Sequence, residues 1–181
     1  MYAHTVIIGG TGMLFAASVE LATQSHRFTS VARTRASLAR LDAALPTGRG
    51  PHHMLALDWS EPEAFIAGIA NHIEETEEPD LVVAWVHNEQ LGIRVASVLG
   101  RGNVQFFQVL GSVAANPGKI AEQVQAGANL PPNVAYHQVI LGAASQGSHL
   151  RWLTNAEISS GVLKAVQAQQ MQFVVGTLKY A

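Results

Sequence analysis

A glycine-rich loop near the N-terminus constrains the fold of this 181-residue chain more than any other feature of its sequence. The apolar run at residues 5–8 predicts a buried strand that ends at glycines, and a helical pattern of apolar residues begins at residue 13. Because glycine lets the backbone approach a pyrophosphate and a helix N-terminus offers N–H groups, this order is typical of a dinucleotide-binding loop. A tight turn without a ligand is the alternative. The predicted cofactor contacts in the loop are Gly9, Gly10, Thr11, Gly12, Met13 and Leu14.

The loop departs from the usual glycine pattern at one position. Residues 10–15 match G-x-G-x-x-G in the first two glycines, but Phe15 stands where the third glycine would be. Since the third glycine permits close packing of helix on strand, Phe15 predicts a wider spacing between them.

Strands and helices alternate along the rest of the chain. This alternation predicts an α/β fold with a doubly wound, mostly parallel Rossmann sheet of about seven strands, flanked by helices in three αβα layers. We expect one domain over residues 1–181, with functional residues just after the strands. Thr34, Ser60 and Thr154 are predicted helix caps, the last two with a glutamate three residues later. The predicted strands are residues 5–8, 28–32, 53–57, 81–86, 104–110, 134–141 and 173–175, and a helix is predicted at residues 117–125, between the fifth and sixth strands.

The end of the second strand indicates which dinucleotide would bind. Arg33 and Thr34 stand where an NAD site needs an acidic residue, and no Asp or Glu lies between Glu20 and Asp42. A guanidinium fork and a hydroxyl suit a 2′-phosphate, so the sequence favours NADP. A solvated arginine at a helix start is the alternative.

Composition excludes several classes of function. The chain has no cysteine, which rules out disulfides, thiol catalysis and cysteine-ligated metals. It has only three lysines, and its arginines are scattered, so we expect no nucleic-acid partner. No apolar run of membrane-spanning length occurs, and the expected location is cytoplasmic. We expect no metal site, and with charged residues at only 13% we expect a homo-oligomer that covers apolar surface.

These residues together resemble the short-chain dehydrogenases/reductases, in a shortened and atypical form. The glycine loop resembles the cofactor loop of the atypical and extended members, and Arg33 resembles the arginine that selects NADP. The resemblance implies that Asp58 meets the adenine and that Leu141 and Gly142 form the turn beside the nicotinamide. Trp59 and Trp85 are predicted walls of the cofactor pocket, with core packing as the alternative.

The catalytic half departs from that family. Its signature is a tyrosine followed four residues later by lysine, but Tyr136 is followed there by Ile140, and neither Tyr2 nor Tyr180 has such a lysine. His87 is the best-placed proton donor by topology, since imidazole exchanges protons near neutral pH. Ser112, which resembles the family's catalytic serine, is the predicted helper, and Tyr136 is the next candidate. A polar residue at a strand end is the alternative for His87.

Three functions follow as hypotheses. The first is an NADP-dependent oxidoreductase that acts on a small carbonyl or alcohol substrate with a non-standard proton donor. The second is an NADP(H)-binding sensor or regulator without turnover. The third is a scaffold with an empty site. A methyltransferase is a weaker alternative, because its cofactor has no 2′-phosphate for Arg33 to bind.

Overall fold

The computed structural model describes residues 1–48, 50–111, 121–122, 124, 129–146 and 149–178. Seven strands form one sheet in the order β3-β2-β1-β4-β5-β6-β9, and every neighbouring pair is parallel. The strand order reverses between β1 and β4, which opens a crevice at their carboxyl ends. The predicted doubly wound parallel sheet is therefore confirmed. The strands are β1 (Tyr2–Ile8), β2 (Ser25–Ala32), β3 (His52–Ala56), β4 (Leu81–Ala84), β5 (Val104–Leu110), β6 (Val134–Leu141), β7 (Ala143–Gln146), β8 (His149–Trp152) and β9 (Gln172–Val175).

Helices cover both faces of the sheet. Alternate residues of the central strands face opposite sides, so Ile7 and Val83 pack with α1, α2 and α5, while Val6 and Val82 pack with α3 and α4. Strands buried on both faces read as continuous apolar runs, which is why the sequence locates them well. The described helices are α1 (Phe15–Thr23), α2 (Arg35–Ala44), α3 (Pro62–Glu75), α4 (Glu89–Ser97) and α5 (Asn155–Ala168).

Two of the three predicted helix caps are present. The Thr34 hydroxyl accepts from the N–H of Ser37, and Thr154 forms a capping box with Glu157. The predicted capping box at Ser60 is wrong, because α3 begins at Pro62 with Glu61 as its N-cap. Proline lacks an N–H and has a helical φ, so it favours the first position of a helix.

An antiparallel hairpin that the sequence analysis did not predict follows β6. Strands β7 and β8 pair outside the main sheet, with Ala143 opposite Trp152. Both guanidinium Nη atoms of Arg151 donate to the carboxylate of Glu157, at 2.8 and 2.7 Å. This contact lowers the pKa of the Glu157 carboxyl to about 2, well below its usual range. It also ties the hairpin to the first turn of α5.

Of the helix predicted at residues 117–125, only Ala121, Glu122 and Val124 are described, and these three are helical. Within the described part of the chain, no helix has both the length and the apolar character that crossing a membrane requires.

Candidate active site

The glycine loop packs so tightly that two of its positions require glycine. Gly9 has φ of +76°, and a Cβ placed there would lie 2.3 Å from the carbonyl oxygen of Trp85. A Cβ on Gly10 would lie 2.4 Å from the hydroxyl oxygen of Ser18, which donates to the carbonyl oxygen of Gly10. These contacts hold the loop against β4 and α1, and they explain why the turn is made of glycine.

The outer side of the same loop is open. A Cβ on Gly12 would have no neighbour within 4 Å, and Gly12 is exposed. Helix α1 begins three residues later with Leu14 as its N-cap, and no side chain among the described residues caps it. Open space in front of an uncapped helix N-terminus suits the pyrophosphate of a dinucleotide. The residues of the loop therefore fit the cofactor that the sequence predicts.

A cavity of about 340 Å³ extends from this loop towards the end of β2, and we call it the polar cavity. It brings together most of the predicted cofactor residues, but not all of them. Gly10 and Leu14 are buried behind the loop, and Asp58 is outside the lining. The lining residues are Gly9, Thr11, Gly12, Met13, Ala32, Arg33, Thr34, Ser37, Arg40, Trp59, Trp85 and His87.

Two arginines supply the positive charge of the polar cavity. The guanidinium carbon of Arg33 lies 4.3 Å from the centroid of the Trp59 ring, which is a cation–π distance. Arg40 donates from Nη2 to the carbonyl oxygen of Thr11 at 2.7 Å. Sequence reasoning missed Arg40 and Ser37. Ser37 and Arg40 are three residues apart on α2, so they lie on one side of that helix, and Arg33 directly precedes its N-cap Thr34.

Asp58 has a local structural role. Its carboxylate accepts from the N–H of Ser60 at 2.9 Å, and this hydrogen bond, assisted by the charge of Arg33, lowers pKa of Asp58. The side chain is exposed and caps the turn that leads into α3. A contact between Asp58 and an adenine stays a prediction.

A second cavity of about 350 Å³ adjoins the first, and we call it the apolar cavity. It lies at the carboxyl ends of β4, β5 and β6, under the β7–β8 hairpin. Leu141 and Gly142 reach it, as the prediction of a turn beside the cofactor requires. No acidic or basic side chain other than a histidine lines it within the described residues. The lining residues are Met13, Trp85, His87, Gly111, Leu141, Gly142, Trp152, Leu153 and Ile158.

His87 lies where the two cavities meet. Met13, Trp85 and His87 line both of them. The exposed His87 ring has its centroid 6.0 Å from that of Trp59 and 6.3 Å from that of Trp85, and both contacts are tilted. Its imidazole thus lies near both indoles and lines both cavities. Ser112, the predicted helper, lies outside the described residues.

Tyr136 is not brought to this site. It lines neither cavity, because it is near the start of β6 and the cavities open at the strand's other end. Its hydroxyl donates to Oε1 of Gln108 at 2.8 Å, and burial raises pKa of Tyr136 to about 12. This placement argues against the predicted reserve role of Tyr136 in proton transfer.

One long-range contact fixes the loop from the C-terminal side. The hydroxyl of Ser159, on α5, donates to the carbonyl oxygen of Met13 at 2.9 Å. Because Met13 lines both cavities, α5 helps to set the wall that they share.

No group of three or more metal-ligating side chains occurs among the described residues.

The comparisons with known proteins concern the fold. No family model matches the sequence, and no curated protein matches it. Many solved structures match the fold. A short-chain dehydrogenase from Sphingobium yanoikuyae in complex with NADPH has a TM-score of 0.69 at 14% identity, over 95% of this chain and 87% of that one. The chain has the Rossmann-like fold of the short-chain dehydrogenases/reductases.

Two further structures show the same Rossmann-like fold. A bulky-bulky ketone specific alcohol dehydrogenase from Comamonas testosteroni has a TM-score of 0.68 at 11% identity, over 97% of this chain and 86% of that one. A blue fluorescent protein from a metagenomic library, in complex with NADPH, has a TM-score of 0.66 at 11% identity, over 99% of this chain and 98% of that one. At such identities the likeness establishes the fold, and the chemistry must be argued from the site.

Proposed function

We propose that this protein is an NADP(H)-dependent oxidoreductase that transfers hydride between the cofactor and a small, uncharged carbonyl or alcohol. The observation that carries the proposal is the pair of adjoining cavities, one polar with two arginines and one apolar, which share the wall formed by Met13, Trp85 and His87. A dinucleotide in the polar cavity would place its reactive end at this shared wall, next to a substrate in the apolar cavity.

The chain's own residues would bind the cofactor along the polar cavity. The loop at Gly12 and the N-terminus of α1 would bind the pyrophosphate, and Arg33 and Thr34 would bind the 2′-phosphate. Similar structures with NADPH bound support this assignment. When bound, the nicotinamide supplies the hydride that reduces a carbonyl carbon, or accepts one from an alcohol.

His87 would donate or accept the proton that is transferred together with the hydride. In the reductive direction the carbonyl oxygen gains a proton as the carbon gains hydride, and in the oxidative direction both leave. His87 is the titratable side chain at the shared wall among the described residues. We propose that its imidazole donates the proton to the carbonyl oxygen, and that Trp59 and Trp85 hold the ring between them.

The apolar cavity indicates the substrate class. Six of its described lining residues have large apolar side chains, and none is acidic, lysine or arginine. A charged substrate would lose much of its hydration there, which is costly, and His87, the one described lining residue that can carry charge, is already assigned to the carbonyl oxygen. The proposal is therefore a carbonyl compound whose body is apolar and uncharged.

The experiment is a cofactor titration followed by a matched substrate pair. We expect NADPH to bind by calorimetry, and we expect NADPH oxidation at 340 nm with benzaldehyde but not with 4-carboxybenzaldehyde. Equal turnover of the two aldehydes would contradict the uncharged substrate class. Absence of NADPH binding would refute the proposed function as a whole.

A non-catalytic NADP(H) sensor is the second candidate. The observation that favours it is the position of Tyr136, which donates to Gln108 away from both cavities and has no lysine four residues later. A sensor would bind NADPH and leave it unchanged in the presence of a broad panel of uncharged aldehydes and ketones. Turnover of any member of that panel that depends on His87 would exclude the sensor.

A further inference from the structure

Three arginines differ from the others in their charge environment. Among the described residues, four arginines form ion pairs with a glutamate, namely Arg27, Arg94, Arg101 and Arg151. No carboxylate lies within ion-pair distance of Arg33, Arg35 or Arg40 in the described part of the chain. Arg33 and Arg40 line the polar cavity, whereas Arg35 does not. Two guanidinium groups that form no ion pair with a described carboxylate thus face one cavity, and Asp58 is near enough to Arg33 for the arginine charge to lower the pKa of Asp58.

Two contacts hold the Arg40 side chain against the glycine loop and the start of α1. Its Nη2 donates to the carbonyl oxygen of Thr11 at 2.7 Å, and its guanidinium carbon lies 5.6 Å from the centroid of the Phe15 ring. A guanidinium has five N–H donors, so the bond to Thr11 leaves most of them available to a ligand. Arg40 is therefore positioned towards the cavity while it remains able to bind an anion.

Phe15, the residue that departs from the glycine motif, contacts the guanidinium of Arg40 through its ring. Phe15 occupies the position of the third glycine and is partly buried against the core below. A glycine there would offer no ring to Arg40, and the guanidinium would keep only the contact with Thr11. Phe15, which replaces the third glycine of the motif, thus supports the guanidinium of Arg40, which is not part of the motif.

We infer that Arg40 is a second phosphate-binding residue, which acts with Arg33 on the 2′-phosphate of NADP(H), and that Phe15 is its positioning residue. This inference rests on the proposed function, because it requires a dinucleotide in the polar cavity. The 2′-phosphate is a dianion at neutral pH, and two guanidinium forks match its charge and its acceptor oxygens. Arg40 shares α2 with Ser37, on the side of the cavity where Arg33 and Thr34 lie, whereas the pyrophosphate is expected over Gly12.

The first test compares single charge removals by calorimetry. Arg40→Gln should weaken NADPH by about tenfold or more and change NADH by less than about twofold. Arg35→Gln is the matched control, since it removes the same charge from the same helix but lies outside the cavity, and it should change neither affinity more than about twofold. Adenosine 2′,5′-bisphosphate against adenosine 5′-monophosphate should reproduce the NADPH-to-NADH contrast without the nicotinamide.

The second test concerns Phe15. Phe15→Leu should lower the ratio of NADPH to NADH affinity, whereas Phe15→Tyr, which keeps the ring, should preserve it. Thermal unfolding of both variants measures any loss of packing, and a merely structural role would lower the unfolding temperature without changing the affinity ratio. Arg40→Lys keeps the charge without the planar fork, so its affinity for NADPH should fall between those of the unchanged protein and Arg40→Gln.

The outcomes separate this inference from the function beneath it. If the unchanged protein binds neither NADPH nor adenosine 2′,5′-bisphosphate, the proposed function fails and this inference fails with it. If the unchanged protein prefers NADPH and Arg40→Gln behaves like Arg35→Gln, only the role of Arg40 is overturned. Equal weakening of NADPH and NADH by Arg40→Gln would place Arg40 at the pyrophosphate and overturn its assignment to the 2′-phosphate.

Discussion

The guanidinium of Arg33 stacks on the indole of Trp59, with its central carbon 4.3 Å from the ring centroid. The two residues come from different strand ends, Arg33 after β2 and Trp59 after β3. Stacking orients the plane of the guanidinium and leaves its N–H edges free for hydrogen bonds. Trp59 therefore orients the cation that we propose to bind the 2′-phosphate of NADP(H).

Arg33→Ala should separate the two dinucleotides. Loss of one charge-assisted hydrogen bond costs about 1.5–3 kcal/mol, so NADPH should bind roughly ten- to hundredfold more weakly, while NADH stays nearly unchanged. Calorimetric titration of both cofactors measures this. An equal loss for NADPH and NADH would show that Arg33 does not contact the 2′-phosphate.

Two glycines of one loop should respond in opposite ways. Gly12→Val places its side chain in open space, so the variant should fold normally yet lose NADPH binding, because the valine occupies the proposed path of the pyrophosphate. Gly9→Ala should lower the unfolding temperature, because φ is +76° and the new Cβ would meet the carbonyl oxygen of Trp85. Circular dichroism melts and NADPH titrations distinguish the two. Unchanged NADPH affinity in folded Gly12→Val would contradict the phosphate position.

His87→Ala should remove turnover while it spares the cofactor site. The expected fall in kcat is about 10²–10⁴-fold, the usual contribution of a general acid, with little change in NADPH affinity. Tyr136→Phe should leave kcat within about twofold, because the Tyr136 hydroxyl donates to Gln108 outside both cavities. The reductive direction consumes a proton, so kcat in that direction should fall as pH rises. The reverse ranking of the two variants would return the proton donor to Tyr136.

Two buried histidines form a directed hydrogen-bond chain far from the site. Nδ1 of His4 donates to the carbonyl oxygen of Glu77 at 2.7 Å, so in its neutral form Nε2 of His4 accepts from the Thr29 hydroxyl at 2.9 Å. The same hydroxyl oxygen accepts from Nε2 of His72 at 2.9 Å. Burial lowers pKa of His4, and burial, followed by the charge of His53, lowers pKa of His72 to about 4.

The hydrogen bonds that join His4, Thr29 and His72 predict that the folded protein loses stability in acid. His72 takes up a proton near pH 6.5 in the unfolded protein and only near pH 4 in the folded protein, so its contribution to stability is complete above pH 6.5 and is lost as pH falls through 4. The lowered pKa of His4 acts in the same direction. Over that window the free energy of unfolding should fall by at most about 1.4 kcal/mol per pH unit through His72. Urea titrations between pH 7 and 4 measure the slope, and His72→Leu should flatten it. A slope that His72→Leu leaves unchanged would assign the effect to other groups.

Trp152 and Leu150 project from the same hairpin but differ in their relation to the apolar cavity. Trp152 lines the cavity although it is 67% exposed, whereas Leu150 is exposed without lining it. Trp152→Ala should raise KM for a bulky apolar aldehyde by about tenfold, since it removes a large apolar wall. Leu150→Ala is the control and should change KM less than about twofold. Equal effects of the two substitutions would indicate that the cavity ends before Trp152.

The sequence predicts the parts of this fold that depend on local patterns. The β5 and β6 bounds agree with the sequence prediction because both strands are continuous apolar runs buried on two faces. The hairpin was missed because β7 and β8 have four residues each, which is too short for a period to stand out, and β7 lacks an apolar alternation. Gly147-Ser148, between them in sequence, is the turn signal that indicates such a hairpin.

Site residues were predictable where they follow a strand, and not where a helix brings them in. Arg33 and Trp85 come directly after strands and His87 follows two residues after Trp85, so topology alone places them near the loop. Arg40 lies within α2, and its role depends on how that helix packs against the loop, which residue order does not state. Tyr136 lies five residues before the carboxyl end of β6, as the predicted strand bounds already imply, and its role in proton transfer stays a prediction.

The hydrogen bond from Ser159 to the carbonyl of Met13 joins positions that are 146 residues apart. During synthesis the glycine loop leaves the ribosome well before its partner helix, because Ser159 comes 146 residues after Met13. Contacts between such distant segments form late, because the intervening chain must first be ordered. A nascent chain therefore carries an unfinished loop until α5 has been synthesised, and the wall shared by the two cavities cannot form before then.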